Sequence, residues 1–116
     1  MIWSSDVTPS VKVWLLDPEG ESLFGPGGLL ILETIGKTGS INSAAKELSM
    51  GYRAMWGKIR KLEQRLGEKL LITSKGGITR GTSILTPFAV DLMDRFKDLQ
   101  TRISHDTEQH FHEVFK

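Results

Sequence analysis

Arg53, Arg60 and Lys61 fall in one stretch of chain together with Tyr52, Trp56, Gly57 and Gln64. An arginine can form two parallel hydrogen bonds to a phosphate or to the O6/N7 edge of guanine, and a lysine neutralises phosphate as a point charge. Over Tyr52 to Leu66 the apolar residues Met55, Ile59, Leu62 and Leu66 stay on one face at 100° per residue. Arg53, Gly57, Arg60 and Gln64 take the opposite face, with Trp56 on one flank and Lys61 on the other. Glycine costs a helix about 1 kcal/mol relative to alanine, but it lets a backbone come close to its neighbour. A basic helix face with a glycine at its centre suits a helix pressed into a nucleic-acid groove.

Such a helix has to be held. The preceding stretch supplies a partner: Ser40 is a candidate N-cap, and Ile41, Ala44, Ala45 and Leu48 form an apolar stripe at i, i+3, i+4 and i+7. The two alanines allow close helix contact, and Gly51 stands where the chain must turn. Two helices joined this way read as a helix-turn-helix, the second helix entering the DNA major groove. Ser40 and Ser43, at the start of the first helix, are counted with the DNA-contacting residues.

After Gly67, the β-rich run Lys69–Ser74 and the return run Thr82–Leu85 predict a hairpin, the wing of a winged helix. Lys75 and Arg80, near its tip, are expected on the phosphate backbone or in the minor groove. Thr86-Pro87 is a helix start, Thr at the N-cap and Pro at the first position. Phe88, Leu92, Phe96, Leu99 and Ile103 then form a stripe longer than a small core needs, read as a dimerisation seam. Upstream, Val11–Leu16 reads as a strand, Asp17–Gly20 as a turn and Leu23-Phe24 as a return strand. A helix follows Gly25–Gly28 from Leu29 to about Thr38, with Leu29, Leu32 and either Ile35 or Gly36 inward and Gly39 ending it.

The chain has 116 residues, enough for one domain with a protruding element. Net charge is only +1, but it is unevenly spread. Residues 1–50 carry −3, residues 51–80 carry +6 and residues 81–116 carry −2. A local excess of this kind is the electrostatic footprint of a nucleic-acid surface. There is no cysteine, which excludes disulfides and zinc–thiolate sites. No run approaches the roughly 20 apolar residues of a membrane span, and the first residues lack a signal-peptide pattern. A cytoplasmic protein without a membrane partner is expected.

Catalytic chemistry finds no footing. No Ser-His-Asp set, paired carboxylates or phosphate loop appears, and Gly25–Gly28 lacks both the Gly-Lys-Ser/Thr and the Rossmann spacing. Asp17, Glu19 and Glu21 are turn residues. His105, His110 and His112 match no metal-ligand spacing, and the tail that holds them is expected to fray. No catalytic residue, metal or cofactor is assigned, and no enzyme activity is expected.

The segments Glu21-Ser-Leu-Phe-Gly-Pro-Gly27, Gly39-Ser-Ile-x3-Ala-Ala45, Met50-Gly-Tyr-Arg-Ala-Met-Trp56 with Ile59, the glycine-rich wing and Leu85-Thr-Pro87 form a recognisable set. Over about residues 10–100 the chain resembles the N-terminal DNA-binding domain of the molybdate-responsive regulator (ModE) family, and more distantly the LysR-type winged helix. It departs at Ile78, Thr79 and Thr82, which interrupt the wing's glycines, and at Phe88-Ala89. The resemblance implies a homodimeric transcription regulator with Tyr52, Arg53 and Trp56 at the start of the recognition helix. Full-length members continue into an oxyanion-binding module, to which nothing in this chain corresponds. Specific molybdate binding by the chain alone is therefore not expected, and regulation could pass through a separate sensor protein.

These observations together predict an α+β, mainly helical fold: a winged helix-turn-helix with an N-terminal β-hairpin and a long C-terminal helix. Residues 10–86 form the DNA-binding domain, and residues 87–116 the dimerisation helix and tail. Double-stranded DNA is the expected partner. The competing class is a winged-helix protein-interaction module whose basic face docks an acidic protein.

Overall fold

The computed structural model describes Trp3, residues 6–73 and residues 81–116. Its first element is a small antiparallel hairpin of β1 (Leu15–Leu16) and β2 (Ser22–Phe24). The turn is closed by Asp17, whose carboxylate accepts from the backbone N–H groups of Glu19 and Glu21, each at 2.9 Å. The strand predicted over residues 11–16 shrinks to its last two residues. β2 offers only three residues to pair with, and the register slips between Leu15 and Leu16. Val13 nevertheless packs on the core.

Helix α1 (Pro26–Thr38) begins with proline at its first turn and ends at Gly39, which is left-handed (φ 83°). Its N-cap, Gly25, lies against the indole of Trp14, and a Cβ there would collide with that ring. Leu29, Leu32 and Ile35 point inward as expected, Ile35 rather than Gly36, and Ile31 and Thr34 are buried beside them. Helix α2 (Ile41–Glu47) and helix α3 (Tyr52–Leu66) follow. The hairpin β3 (Leu71–Thr73) and β4 (Ser83–Leu85) pairs Leu71 with Leu85, Ile72 with Ile84 and Thr73 with Ser83. Helix α4 (Pro87–Val114) completes the chain.

Two apolar clusters make the core. Ile31, Ile35, Ile41, Ala44, Ala45, Met55, Ile59 and Leu71 join α1, α2 and α3 to the base of the wing. Phe24, Leu29, Leu32, Leu70, Ala89, Met93 and Phe96 join the first hairpin and α1 to α4. Leu85 packs against both.

Phe96 is the main correction to the sequence reading. It was assigned to a dimerisation seam, but it is 1% exposed and meets Phe24 edge-to-face at 5.0 Å. Phe88 and Leu92 pack against the same cluster. The stripe is real, but its first half is consumed by the chain's own hairpin and α1. Leu99, by contrast, is exposed, and Ile103 is half-buried. The expectation of a fraying tail is corrected as well, because α4 runs unbroken through His105, His110 and His112. Ion pairs Asp91–Arg95 and Asp98–Arg102 and stacking of Phe111 on Phe115 support it along its length. The indole of Trp3 reaches Phe115 at 4.9 Å between ring centres.

Candidate nucleic-acid interface

Helix α2 starts at Ser40, whose hydroxyl accepts from the Ser43 N–H at 3.0 Å and donates to the Ser43 hydroxyl at 2.9 Å. Both serines thus fix the same helix end. The turn into α3 falls at Gly51, as the sequence predicts, without a left-handed glycine. Gly51 is extended (φ −65°, ψ 144°) and acts as the N-cap of α3. The left-handed residue is Ser49, with φ 51°. It sits in the wrap that ends α2, where Ser49 N–H donates to Lys46 O and Met50 N–H donates to Ala45 O.

Met55 and Ile59 are fully buried and seat α3 on the core. That leaves Arg53, Gly57, Arg60, Lys61 and Gln64 exposed on its outer side, the arrangement read from the sequence. No ion pair engages Arg53, Lys58, Arg60 or Lys61 among the described residues. A Cβ built on Gly57 meets nothing within 4 Å, so the molecule itself has no packing reason for a glycine there. The N-terminus of α3 has no side-chain cap. Its first backbone N–H groups remain available to a phosphate, favoured further by the helix dipole.

Trp56 braces the helix. It is half-buried against the α1–α2–α3 core, with Tyr52 edge-on at 6.5 Å. The Arg60 guanidinium lies 5.3 Å from the centre of its ring, a cation–π contact that limits the arginine's rotamers and aims it outward. Between Tyr52, Trp56, Ile41, Asn42, Thr73 and Ser83 lies a hollow of about 210 Å³, where the helix-turn-helix meets the base of the wing. Asn42 borders this surface and was missed by the sequence reading; a polar side chain in the first turn of α2 was its only signal. Lys58 was also missed, although it belongs to the same +6 segment. Lys75 and Arg80 lie outside the described residues.

The junction behind α3 is tied by two side chains. The Glu63 carboxylate accepts from the Leu70 N–H at 2.8 Å, fixing the exit into β3. The Thr86 hydroxyl accepts from the Ala89 N–H at 3.1 Å and donates to Lys69 O at 2.7 Å. Among the described residues no cluster of three His, Asp or Glu side chains could hold a metal ion. No helix among them is long and apolar enough to cross a membrane.

A helix-turn-helix followed by a two-stranded hairpin, with exposed cations that enter no ion pair among the described residues along its second helix, defines the winged-helix class. The description "Bacterial regulatory helix-turn-helix protein, lysR family" matches residues 27–89, just over half of the chain, and the chain belongs to that family. It is a DNA-binding transcription-regulator domain. Similar curated proteins are the molybdenum-pterin-binding protein MopB of Rhodobacter capsulatus, 28% identical over 70% of this chain and 30% of that protein, and the molybdenum transport protein ModE of Herbaspirillum seropedicae, 35% identical over 62% and 27%. The chain thus spans about 30% of the length of these relatives. Among solved structures, ArgP from Mycobacterium tuberculosis shares the fold, with a TM-score of 0.51 and 23% identity over 79% of this chain and 31% of that one.

Proposed function

We propose that the chain reads a specific double-stranded DNA sequence in the cytoplasm as a homodimer, with α3 in the major groove. Residues 10–86 form the reading unit and residues 87–116 the arm that joins two copies. The observation that carries this reading is the outer face of α3. Among the described residues Arg53, Arg60 and Lys61 enter no ion pair, and they surround a glycine with open space above it. Arg53, at the N-terminal end of α3, reaches base edges. Arg60, Lys61, Ser40, Ser43 and the first N–H groups of α3 hold phosphates, with Tyr52 and Trp56 bracing between them. Lys75 and Arg80 extend the contact from the wing.

The homodimer rests on α4. Of its 28 residues Ala89, Met93 and Phe96 are buried, and Leu99 and Ile103 lie on the part beyond the body. A separate sensor protein would supply the signal. The test is selection of bound fragments from a random DNA pool by the purified protein, followed by titration of the selected site against scrambled DNA. Recovery of one recurring two-fold motif, bound at least about a thousandfold more tightly than scrambled DNA, is the expected result. Equal affinity for both sequences refutes sequence-specific reading and favours the protein-interaction alternative.

A further inference from the structure

A second concave surface lies along the edge of α3 that carries Lys58, Lys61 and Arg65. It is a cavity of about 390 Å³ between the start of α1, the α2–α3 turn and the second half of α3. Ligand pockets typically fall at roughly 300–1,000 Å³. Its walls are apolar, formed by Leu30, Leu48, Met50 and Leu62. Leu30 is 52% exposed, so a large apolar side chain is left standing in water at the cavity wall.

The rim has one sign of charge. Lys58, Lys61 and Arg65 stand at i, i+3 and i+7 along one edge of α3, and no Asp or Glu lines the cavity. Lys58 and Lys61 enter no ion pair among the described residues. The Arg65 guanidinium is held in place by donating to Ser22 O at 2.8 Å. Glu33, the nearest acidic residue of α1, is turned to α4, where it pairs with Lys97 at 2.9 Å.

We infer that this cavity binds a small amphipathic anion: a carboxylate, or a similar singly charged head, on an apolar body. The apolar walls recover the free energy of removing the body from water, and the lysines at the rim select a negative head. Inorganic oxyanions lack the apolar body and gain little from such walls. The site shares Lys58 and Lys61 with the basic surface of α3, but it is tested without DNA, so its failure leaves the DNA reading standing.

The probe is 8-anilinonaphthalene-1-sulfonate, an aromatic anion whose fluorescence rises in an apolar site, titrated into the folded chain. Gly27 lines the cavity, and a Cβ there meets nothing within 4 Å. Gly27→Phe therefore starts its side chain in open space at the cavity wall. Wild-type protein should bind one probe per chain, and decanoate, but not decanol, should displace it. Lys58→Glu should weaken binding by about tenfold, the scale of losing and reversing an exposed charge contact. Gly27→Phe should abolish binding while circular dichroism still shows the wild-type helix content and a cooperative melt. Undiminished probe binding by Gly27→Phe overturns the site, and decanol competing as well as decanoate overturns its anionic selectivity. If an acidic helical peptide displaces the probe and decanoate does not, the groove belongs to a protein partner and the small-anion assignment fails.

Discussion

Gly57→Ala sets stability and DNA affinity against each other. Gly57 is interior to α3, which spans Tyr52–Leu66, and glycine there costs about 0.5–1 kcal/mol relative to alanine. The added Cβ meets no atom within 4 Å, so no clash offsets the gain. The variant should be more stable by about 0.5–1 kcal/mol, a rise in Tm of roughly 2–6 °C for a chain of this size. In the proposed complex the same methyl group would enter the contact of α3 with the groove floor. Inserting a methyl into a packed contact costs about 1–3 kcal/mol, or roughly 5- to 150-fold in affinity. Thermal melting followed by circular dichroism and titration of the selected DNA site by fluorescence anisotropy give the two numbers. A higher Tm with unchanged affinity would show that the centre of α3 does not touch DNA, and the groove assignment would fall. A lower Tm would refute the claim of open space above Gly57.

The remaining expectations are shorter. Log K for the selected site should fall linearly with log salt, by about 0.9 per phosphate neutralised; Arg53→Ala should relax preference at particular base pairs, whereas Lys61→Ala should weaken all sequences alike, and identical behaviour on a panel of mutated sites would reverse those roles. Leu99→Glu should give a folded monomer in sedimentation, while Phe96→Ala should lower stability by about 3–5 kcal/mol in denaturant titrations through loss of the Phe24 contact; an unchanged dimer in the first case would move the interface elsewhere. Ser49→Gly should raise stability by about 1 kcal/mol, because its left-handed backbone strains a residue with a Cβ, and a loss would mean that the serine hydroxyl outweighs the strain. Calorimetry with millimolar molybdate and a sulfate control should show no specific heat, since the Gly25–Gly28 segment has Pro26 lacking a donor and Trp14 packed over Gly25; micromolar affinity for molybdate alone would reveal an oxyanion site.

Helix ends were legible in the sequence because their chemistry is local. Ser40 and Thr86-Pro87 start helices by bonds within three residues, and Gly39 and Gly67 end them through their own φ. The basic face of α3 was legible for a similar reason, since a 100° periodicity separates its two sides without reference to anything else. What covers an apolar stripe is not local. Phe88, Leu92 and Phe96 announce a buried face, but only the three-dimensional fold brings Phe24, seventy-two positions away in the chain, to lie on it. The turn shows the same limit on a smaller scale. Gly51 has the composition of a left-handed residue, yet the backbone wrap that closes α2 falls two positions earlier, on Ser49. The cavity beside Lys58 could not be read at all, because its walls come from three separate elements.

Thr86 has a consequence that reaches far from its own position. One hydroxyl ties the first turn of α4 to the carbonyl of Lys69, and so to the strand that leaves α3. Ala89, Met93 and Phe96 clamp the turns that follow to the core, so the free lever begins beyond Phe96 and, at 1.5 Å per residue, runs for about 27 Å to Val114. Each degree of tilt in that seat carries the far end of the helix by roughly 0.5 Å, from the same length. In the proposed dimer the two levers set the phase of one recognition helix against the other, and half-sites must fall about 34–36 Å apart to present the same side of the duplex. In that dimer the seat made by Thr86, Met93 and Phe96 would set the tolerance with which the pair measures spacing along DNA.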